Sequence, residues 1–269
     1  MTTPPFLRVW ISVLASGVPG FLAAAAGPVT LSPVAVVGTD LQTFSPTAPL
    51  ESMINRSGVE IPFTSGVTEF DTYFANPARV FAQSGDGGTN NWQSTFSFSP
   101  PLTGTVDFDL GARYRVNKVA LWNRSLKEVT FRILDDLSTP GQAGGTFTLI
   151  DRQNFPFSYA ADVLPFSAPL EGRYLRMEIL STHLVPGTSF TYAIVGEVVA
   201  SATPIAVSPP SLAIETFVSG DVRITFTGTL TSSGNPQGPY NPVAGNPQGS
   251  YTLPAAALGA NQYFRAETQ

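Results

Sequence analysis

The sequence predicts an all-β protein, and two observations carry this prediction. Several runs alternate apolar and polar residues with the two-residue period of a strand that has one buried face. Clusters of turn-forming residues separate these runs, and the chain contains 24 glycines and 24 prolines. Many short strands with turn residues between them indicate a β-sandwich rather than a helical protein.

The clearest strand pattern opens at Val106. Val106, Phe108 and Leu110 alternate with Asp107 and Asp109, which predicts a strand with one dry and one wet face. A glycine and a short polar turn follow, and a second apolar strand comes after them. Because both runs are apolar on alternate positions, we expect them to contribute to one core.

Further alternating runs occur at residues 129–133, 146–149 and 174–179. Only the residues from Leu50 to Ile54 suggest a turn or two of helix. With 43% hydrophobic residues, the chain has enough apolar surface for a sizeable core. We therefore place one β-sandwich at residues 34–200.

The first 26 residues have the pattern of a secretory signal peptide. Arg8 follows the amino terminus, residues 10–26 carry no charge, and the small residues 24–26 offer a cleavage site. An uncleaved membrane anchor is the alternative, because the uncharged run approaches the length of a membrane span. We predict cleavage and a secreted or cell-surface protein with no membrane span afterwards.

A second, smaller unit is predicted at the C-terminal end. Residues 201–211 contain consecutive prolines and are predicted to form an extended linker. In the unit at residues 212–269, Val222–Phe226 has clear strand alternation. The motif Asn-Pro-x-Gly begins at Asn235 and again at Asn246, and it predicts a β-turn each time. This tail resembles a short β-module at the ends of secreted proteins of some environmental bacteria.

Four segments carry a resemblance to a known family. Asp-Leu-Gly at 109–111 ends one strand, a Trp-containing segment lies at 91–94, and later strands occupy 171–177 and 192–198. Together they resemble discoidin (coagulation factor 5/8 type C-like) domains. The resemblance implies a jelly-roll sandwich of the galactose-binding-like class, and it implies an extracellular binding module. Eukaryotic members commonly carry a terminal disulfide, so the absence of cysteine favours a bacterial relative.

The composition excludes several kinds of catalytic site. The chain has no cysteine and one histidine, His183, so thiol nucleophiles and multi-histidine zinc motifs are excluded. No Gly-x-Ser-x-Gly motif occurs, and a net charge of −5 disfavours binding to nucleic acid. A glycosidase with two carboxylates stays open, because it needs only two suitably placed acids. We expect no enzymatic activity.

The resemblance also implies a structural Ca²⁺ site. Such domains often hold calcium between an acidic loop before the Trp segment and a glutamate near the final strand. Asp86 and Thr89 lie in the corresponding loop and Glu197 near the corresponding strand, while Asp71 offers a substitute ligand. Hard oxygen ligands of this kind suit Ca²⁺. The alternative is an ordinary glycine-rich surface turn with a glutamate at a strand edge.

Glycan binding would use aromatic faces beside planar polar groups, because a pyranose has an apolar C–H face and a ring of hydroxyls. The candidates for ligand contact are Asn123, Arg124 and Tyr159, with Tyr73 and Arg79 as further candidates. The resemblance adds that the loop around Arg124 often carries an arginine in relatives that bind sugar.

We therefore predict a non-catalytic exported recognition module that binds glycan or cell-surface polymer through loops of the sandwich. A structural or surface scaffold protein with no small ligand is the alternative. The exposure of the loops Trp122–Ser125 and Phe155–Tyr159 distinguishes the two, because a recognition module should expose some of these side chains. Trp92 and Trp122 themselves are expected to be packed in the interior.

Overall fold

The computed structural model describes residues 27–76, 80–82, 89–156, 158–205, 210–245, 247–257 and 262–267. The described chain divides into two compact units between residues 205 and 206. The predicted signal peptide, Arg79 and Asp86 lie outside the described residues. No helix in the described part of the chain is long and apolar enough to pass through a membrane.

Strands are the main regular structure in the described part of the first unit. They are, in chain order, β1 (Val29–Leu31), β2 (Ala35–Thr39), β3 (Val80–Ala82), β4 (Trp92–Gln93), β5 (Gly104–Asn123), β6 (Leu126–Leu134), β7 (Gln142–Thr148), β8 (Ser158–Ala160), β9 (Asp162–Thr182) and β10 (Ile194–Pro204). A 3-10 turn at Leu50–Met53 confirms the helical turn suggested by the sequence. Helix α1 (Phe70–Phe74) was not predicted, and the Glu69 side chain caps it by accepting two backbone N–H groups.

Strands β5 and β9 form one long antiparallel ribbon that bends in the middle. Residues 104–109 of β5 pair with the second half of β9, and residues 114–121 pair with its first half. At the bend, Gly111 has a φ of 85°, which a residue with a side chain rarely adopts. On the other strand, a Cβ at Gly172 would lie 2.6 Å from the Leu134 carbonyl oxygen. Glycine at both places therefore lets the ribbon fold over.

The bent ribbon contributes to two layers. One layer has the order β2–β5–β9–β6–β7, and the other has the order β1–β10–β5–β9, with β4 also paired to β10. A single buried cluster contains Phe108 and Met177 from the first layer with Leu121 and Val198 from the second. This two-layer antiparallel arrangement confirms the prediction of an all-β sandwich of jelly-roll type.

The face of β5 that was predicted to be exposed to solvent is only partly exposed. Asp107 accepts two hydrogen bonds from the guanidinium of Arg176, at 2.7 and 2.9 Å, and Asp109 is held in the same way by Arg173. The hydrogen bond from Arg173 holds the pKa of Asp109 below its ordinary value. Both aspartates are 9% exposed, because their arginine partners lie over them.

The predicted boundaries of the sandwich need correction at both ends. Val29 already pairs with Ala202, so the sandwich begins before residue 34. Thr203 and Pro204 pair with β5, so residues 201–204 of the predicted linker belong to β10. Proline is tolerated there because it is the last residue of the strand, where the missing N–H breaks no further ladder bond.

The second unit has a small core of its own. Its strands are β11 (Leu212–Thr216), β12 (Val222–Phe226), β13 (Thr229–Ser233), β14 (Asn241–Pro242), β15 (Ser250–Leu253) and β16 (Tyr263–Glu267), with a 3-10 turn at Ala255–Ala257. They form two three-stranded sheets, β11–β12–β15 and β14–β13–β16. Ile224, Leu230 and Phe264 are among the buried residues. The first Asn-Pro-x-Gly forms the predicted turn, because Gly238 N–H donates to the Asn235 carbonyl at 2.9 Å. The second begins at Asn246, which lies outside the described residues.

Candidate functional site

The loop between β5 and β6, predicted to contact a ligand, is buried. The Asn123 side chain accepts the Leu126 N–H at 2.7 Å and donates to the Leu126 carbonyl at 3.2 Å, so it closes the turn. Ser125 Oγ donates to the Tyr192 carbonyl and accepts the Ile194 N–H, which ties the turn to β10 and the residues before it. These polar groups hold the turn together, and the structure places Asn123, a predicted ligand contact, in the interior.

Arg124 in the same loop is also buried. Its guanidinium donates to the Gln153 carbonyl at 3.1 Å, and the side chain is largely covered by the protein. Nearby, Arg152 makes a bidentate pair with Asp162 at 2.6 Å for both bonds. Arg124 therefore helps to hold the 152–153 segment against the sandwich, and its expected exposure to ligand is wrong as well.

Tyr73 and Tyr159 belong to a second hydrophobic cluster on the outer face of the β10 layer. We call it the covered cluster, and its buried members are Phe63, Phe70, Tyr73, Ala120, Trp122, Tyr159 and Val199. The Tyr73 hydroxyl donates to the Ile61 carbonyl, and burial raises the pKa of Tyr159. Both tyrosines pack in the interior, which corrects the expectation that they face a ligand. The expected packing of Trp92 and Trp122 is confirmed, since both are fully buried.

A buried polar group lies where β4 meets β10. Glu197 is fully buried, and its Oε2 accepts the Arg56 N–H at 2.8 Å. Its Oε1 has no hydrogen-bond partner among the described residues, and neither does the side-chain amide of buried Asn91. Trp92 pairs with Val195, so the preceding Asn91 reaches β10 close to Glu197. The group therefore contains two buried oxygens, Glu197 Oε1 and Asn91 Oδ1, that lack partners in the described structure.

Burial sets the charge of this group. Loss of solvation raises the pKa of Glu197 to about 8, although the Arg56 N–H and the Arg56 charge act in the opposite direction. Arg56 has a φ of 61°, an uncommon value for a residue with a side chain, and its N–H points at the carboxylate. The carboxyl is therefore neutral over much of the physiological range unless a cation lies beside it.

These oxygens fit a hard divalent cation in part. Glu197 and Asn91 supply the kind of oxygen that Ca²⁺ binds, and Thr89 lies two residues before Asn91 in the sequence. The Thr89 carbonyl accepts a hydrogen bond from buried Ser52 at 3.2 Å, which holds this loop against the 3-10 turn. Asp71 is instead paired with Lys118. No group of three or more His, Cys, Asp or Glu side chains in the described chain is arranged to hold a metal.

A row of exposed aromatic rings lies on three neighbouring segments. We call it the aromatic surface and define it by Phe44, Phe96, Phe98 and Phe190, with buried Tyr192 beneath. Ring centroids are 5.0 Å apart for Phe44 and Phe96, 5.2 Å for Phe96 and Phe190, and 5.7 Å for Phe98 and Phe190. Phe98 is 76% exposed, Phe44 46% and Phe96 38%. Three of the four rings are open to solvent, and half-buried Phe190 joins them into one contiguous set.

Backbone hydrogen bonds hold these three segments together. Phe44 N–H donates to the Gln93 carbonyl. Ser97 N–H donates to the Thr191 carbonyl at 2.8 Å, and Thr191 N–H donates to the Ser97 carbonyl at 2.9 Å. The indole N–H of buried Trp92 donates to the Thr43 hydroxyl at 3.1 Å. The rings therefore stand on a fixed frame, which reduces the conformational entropy lost when they bind a ligand.

The aromatic surface is not among the sites predicted from the sequence. Its signal is the run 95–101, in which Phe96 and Phe98 alternate with serine and threonine before two prolines. Alternation of phenylalanine with small hydroxyl residues is also what a half-buried strand shows, so the pattern by itself does not distinguish the two. The distinction comes from the partner segments at Phe44 and Phe190, which are distant in sequence.

No family model and no curated protein matches this chain. Solved structures to which the chain is similar include carbohydrate-binding modules and a putative chitobiase fragment. CBM32-3 from a family 31 glycoside hydrolase of Clostridium perfringens is 12% identical and aligns over 65% of this chain and 91% of its own, with a TM-score of 0.41. A putative chitobiase fragment from Bacteroides thetaiotaomicron is 13% identical over 70% of this chain and all of its own, with a TM-score of 0.45. The family 32 module from C. perfringens NanJ, solved with galactose, is 11% identical over 61% of this chain and 90% of its own, with a TM-score of 0.35.

Proposed function

We propose that this chain is a non-catalytic, exported recognition module that binds glycan or cell-surface polymer through the aromatic surface. The observation that carries the proposal is a row of exposed rings fixed on a hydrogen-bonded frame. Ring faces can stack on the apolar C–H face of a pyranose. Serines and threonines beside the rings supply hydroxyls that can hydrogen-bond to the sugar.

Export rests on the sequence of the first 26 residues, which has the pattern of a cleaved leader. Expression of the whole chain with its own leader tests this part of the proposal. We expect a product that begins near Gly27 outside the cytoplasm. A product that keeps Met1 and stays in the membrane would support the anchor instead.

We also propose that Glu197 and Asn91 hold a structural Ca²⁺ together with Thr89 and with Asp86, which lies three residues before Thr89 in the sequence. Bound calcium would supply the positive charge that lets Glu197 ionise in the interior. The neighbouring residues of β4 and β10 would then keep their positions at neutral pH. A cation that binds only the folded state raises the melting temperature by mass action. We expect EDTA to lower the melting temperature and added calcium to restore it.

Binding to a glycan array, with and without calcium, tests the function. We expect Phe98→Ala to weaken binding by about tenfold or more, because it removes the most exposed stacking ring of the aromatic surface. Val218→Ala, which removes an exposed hydrophobic side chain from the second unit, is the matched control and should leave binding unchanged. Phe155→Ala probes the loop predicted from sequence, because Phe155 is 48% exposed.

A structural scaffold is the second candidate, and one observation favours it. Of the two loops in which a recognition module was expected to expose some side chains, Trp122–Ser125 is buried throughout, whereas Phe155 in the other loop is 48% exposed. If no glycan binds under either condition, the scaffold function replaces the recognition function. If Phe155→Ala abolishes binding and Phe98→Ala does not, binding stands but the aromatic surface is not its site.

A further inference from the structure

We propose that the aromatic surface binds a neutral glycan chain along its length, at two separate stacking platforms, and does not capture a single terminal sugar. The platforms are Phe98 at one end of the row and Phe44 at the other. This inference rests on the proposed function, because it names the kind of glycan and the way it lies on the same surface.

The two platforms are supported by inner rings. Phe98 packs on Phe190, and Phe44 packs against Phe96 with an interplanar angle of 69°. The two inner rings meet each other edge to face, at 79°, and Phe96 also packs on buried Tyr192. The inner rings therefore bury much of their surface against each other, while the end rings are the two most exposed members of the row.

The spacing favours more than one sugar residue. Two rings stand between Phe44 and Phe98 along the row, with steps of 5.0, 5.2 and 5.7 Å between centroids. A sugar stacked on Phe98 covers one ring face, so Phe44 is left for another residue of the same chain. Sites for one small ligand are instead concave clefts that bury most of the ligand surface. A row with exposed rings at both ends suits a ligand that continues past each end.

The charge of the three segments indicates a neutral ligand. Residues 41–50, 93–105 and 184–192 contain no Asp, Glu, Lys or Arg. Uronic acids and sulfated sugars are recognised best through charge-assisted hydrogen bonds from arginine or lysine. An anionic membrane surface likewise attracts basic side chains. The exposed polar residues here are uncharged, among them Ser99, Thr188 and Ser189, and their hydroxyls match those of a neutral sugar.

The rings stand on a fixed backbone frame, which suits the binding of a glycan chain better than rings on a flexible loop would. Thr95 N–H donates to the Gln42 carbonyl, and Val185 N–H donates to the Phe190 carbonyl, so each ring-bearing segment is fixed to another segment or to itself. The two platforms therefore keep a constant separation. Once a ligand binds one platform, its next sugar residue is held close to the other platform at a high effective concentration. The second contact also costs little entropy, because the protein is already ordered there.

Isothermal titration with neutral oligosaccharides of one to six residues tests the inference. The probes are gluco-, manno-, xylo- and galacto-oligosaccharides, with polygalacturonate and alginate as acidic polymers. We expect affinity for the neutral series that binds to rise about tenfold or more from the monosaccharide to the tetrasaccharide and then to level off, because the second platform adds its contact. Phe98→Ala and Phe44→Ala should each remove most of that rise.

The outcomes separate this inference from the function on which it rests. If a monosaccharide binds as tightly as a tetrasaccharide, or if an acidic polymer binds more tightly than any neutral one, the inference is overturned while glycan recognition stands. If no glycan of any length binds, the proposed function fails, and the inference fails with it. Binding to phosphatidylcholine vesicles, or a dimer at micromolar concentration, that Phe98→Ala abolishes would assign the surface to a bilayer or a second copy and overturn the inference. Val218→Ala is measured beside both variants as a control for an exposed hydrophobic side chain outside the aromatic surface.

Discussion

The first unit contains two clusters of aromatic rings that have similar geometry and opposite exposure. In the covered cluster, the Phe63 and Tyr73 centroids are 5.3 Å apart, and those of Phe74 and Trp122 are 5.7 Å apart. In the aromatic surface the corresponding distances run from 5.0 to 5.7 Å. Rings of the first cluster are mostly buried, whereas Phe44, Phe96 and Phe98 of the second are exposed to solvent.

The difference lies in what covers the rings. Residues 59–74, including helix α1, lie over the outer face of β5 and β10 and close the covered cluster. The aromatic surface is held from below by the backbone bridges between its segments, and nothing in the described chain closes it from above. Equal ring chemistry therefore supports stability in one place and is free for binding in the other.

The largest expected effect comes from the covered cluster. Trp122→Ala should destabilise the first unit by about 3–5 kcal/mol, because it removes a fully buried ring and leaves a cavity. Chemical denaturation followed by circular dichroism measures this loss. A loss below about 1 kcal/mol would mean that the covering segment can collapse onto the sheet, and that the cluster is less tightly closed than described.

The next largest effect is a pH dependence of stability that comes from Glu197. This residue lies on β10, which pairs with β4 just before the segment that carries Phe96 and Phe98. Its folded pKa is raised to about 8, so the folded protein keeps a proton that the unfolded chain releases near pH 4.5. Without calcium, the free energy of unfolding should therefore fall as pH rises from about 4.5 to 8, by an amount on the order of a few kcal/mol. Thermal melts in EDTA across this pH range measure the fall.

Glu197→Gln is the matched control for this pH dependence. The amide cannot ionise, so the fall between pH 4.5 and 8 should disappear and calcium should no longer stabilise the protein. At pH 8 in EDTA the variant should be more stable than the native chain. Equal pH dependence in both proteins would assign the fall to other groups and leave Glu197 without a role in it.

A smaller effect is expected at Tyr73 within the covered cluster. Tyr73→Phe keeps the packed ring and removes the hydrogen bond from its hydroxyl to the Ile61 carbonyl, which should cost about 1 kcal/mol. Tyr73→Ala should cost several times more, since it also removes the ring. If the two substitutions destabilise equally, the hydroxyl and not the ring fixes the covering segment. Urea denaturation of both variants decides this.

The smallest effect on stability is expected at the aromatic surface. Phe98→Ala should change the free energy of unfolding by no more than about 0.5 kcal/mol, because the ring is 76% exposed. The same substitution is expected to weaken glycan binding strongly, so stability and binding separate at this residue. A destabilisation as large as that of Trp122→Ala would show that Phe98 is a structural residue and would remove the contrast between the clusters.

The sequence was sufficient for the fold and insufficient for the site. Alternation at residues such as Val106 and Phe108 reports which face of a strand is buried, and this property is local. The burial of Asn123 is not local, because it depends on Ile150 and on strands that arrive from elsewhere in the chain. In the same way, the rings of Phe44 and Phe190 join Phe96 only after folding, so the aromatic surface has no continuous signature.

The ribbon of β5 and β9 has a consequence for the way the unit folds. It joins Gly104 to Ile179 and Leu121 to Asp162, and both layers need it. Neither layer can therefore be completed from the first half of the chain, and early strands must wait for partners many residues later. Such long-range pairing slows folding relative to a chain with local contacts. During synthesis the unit should stay open to proteases until β9 and β10 have emerged, and it should then become resistant in a single step.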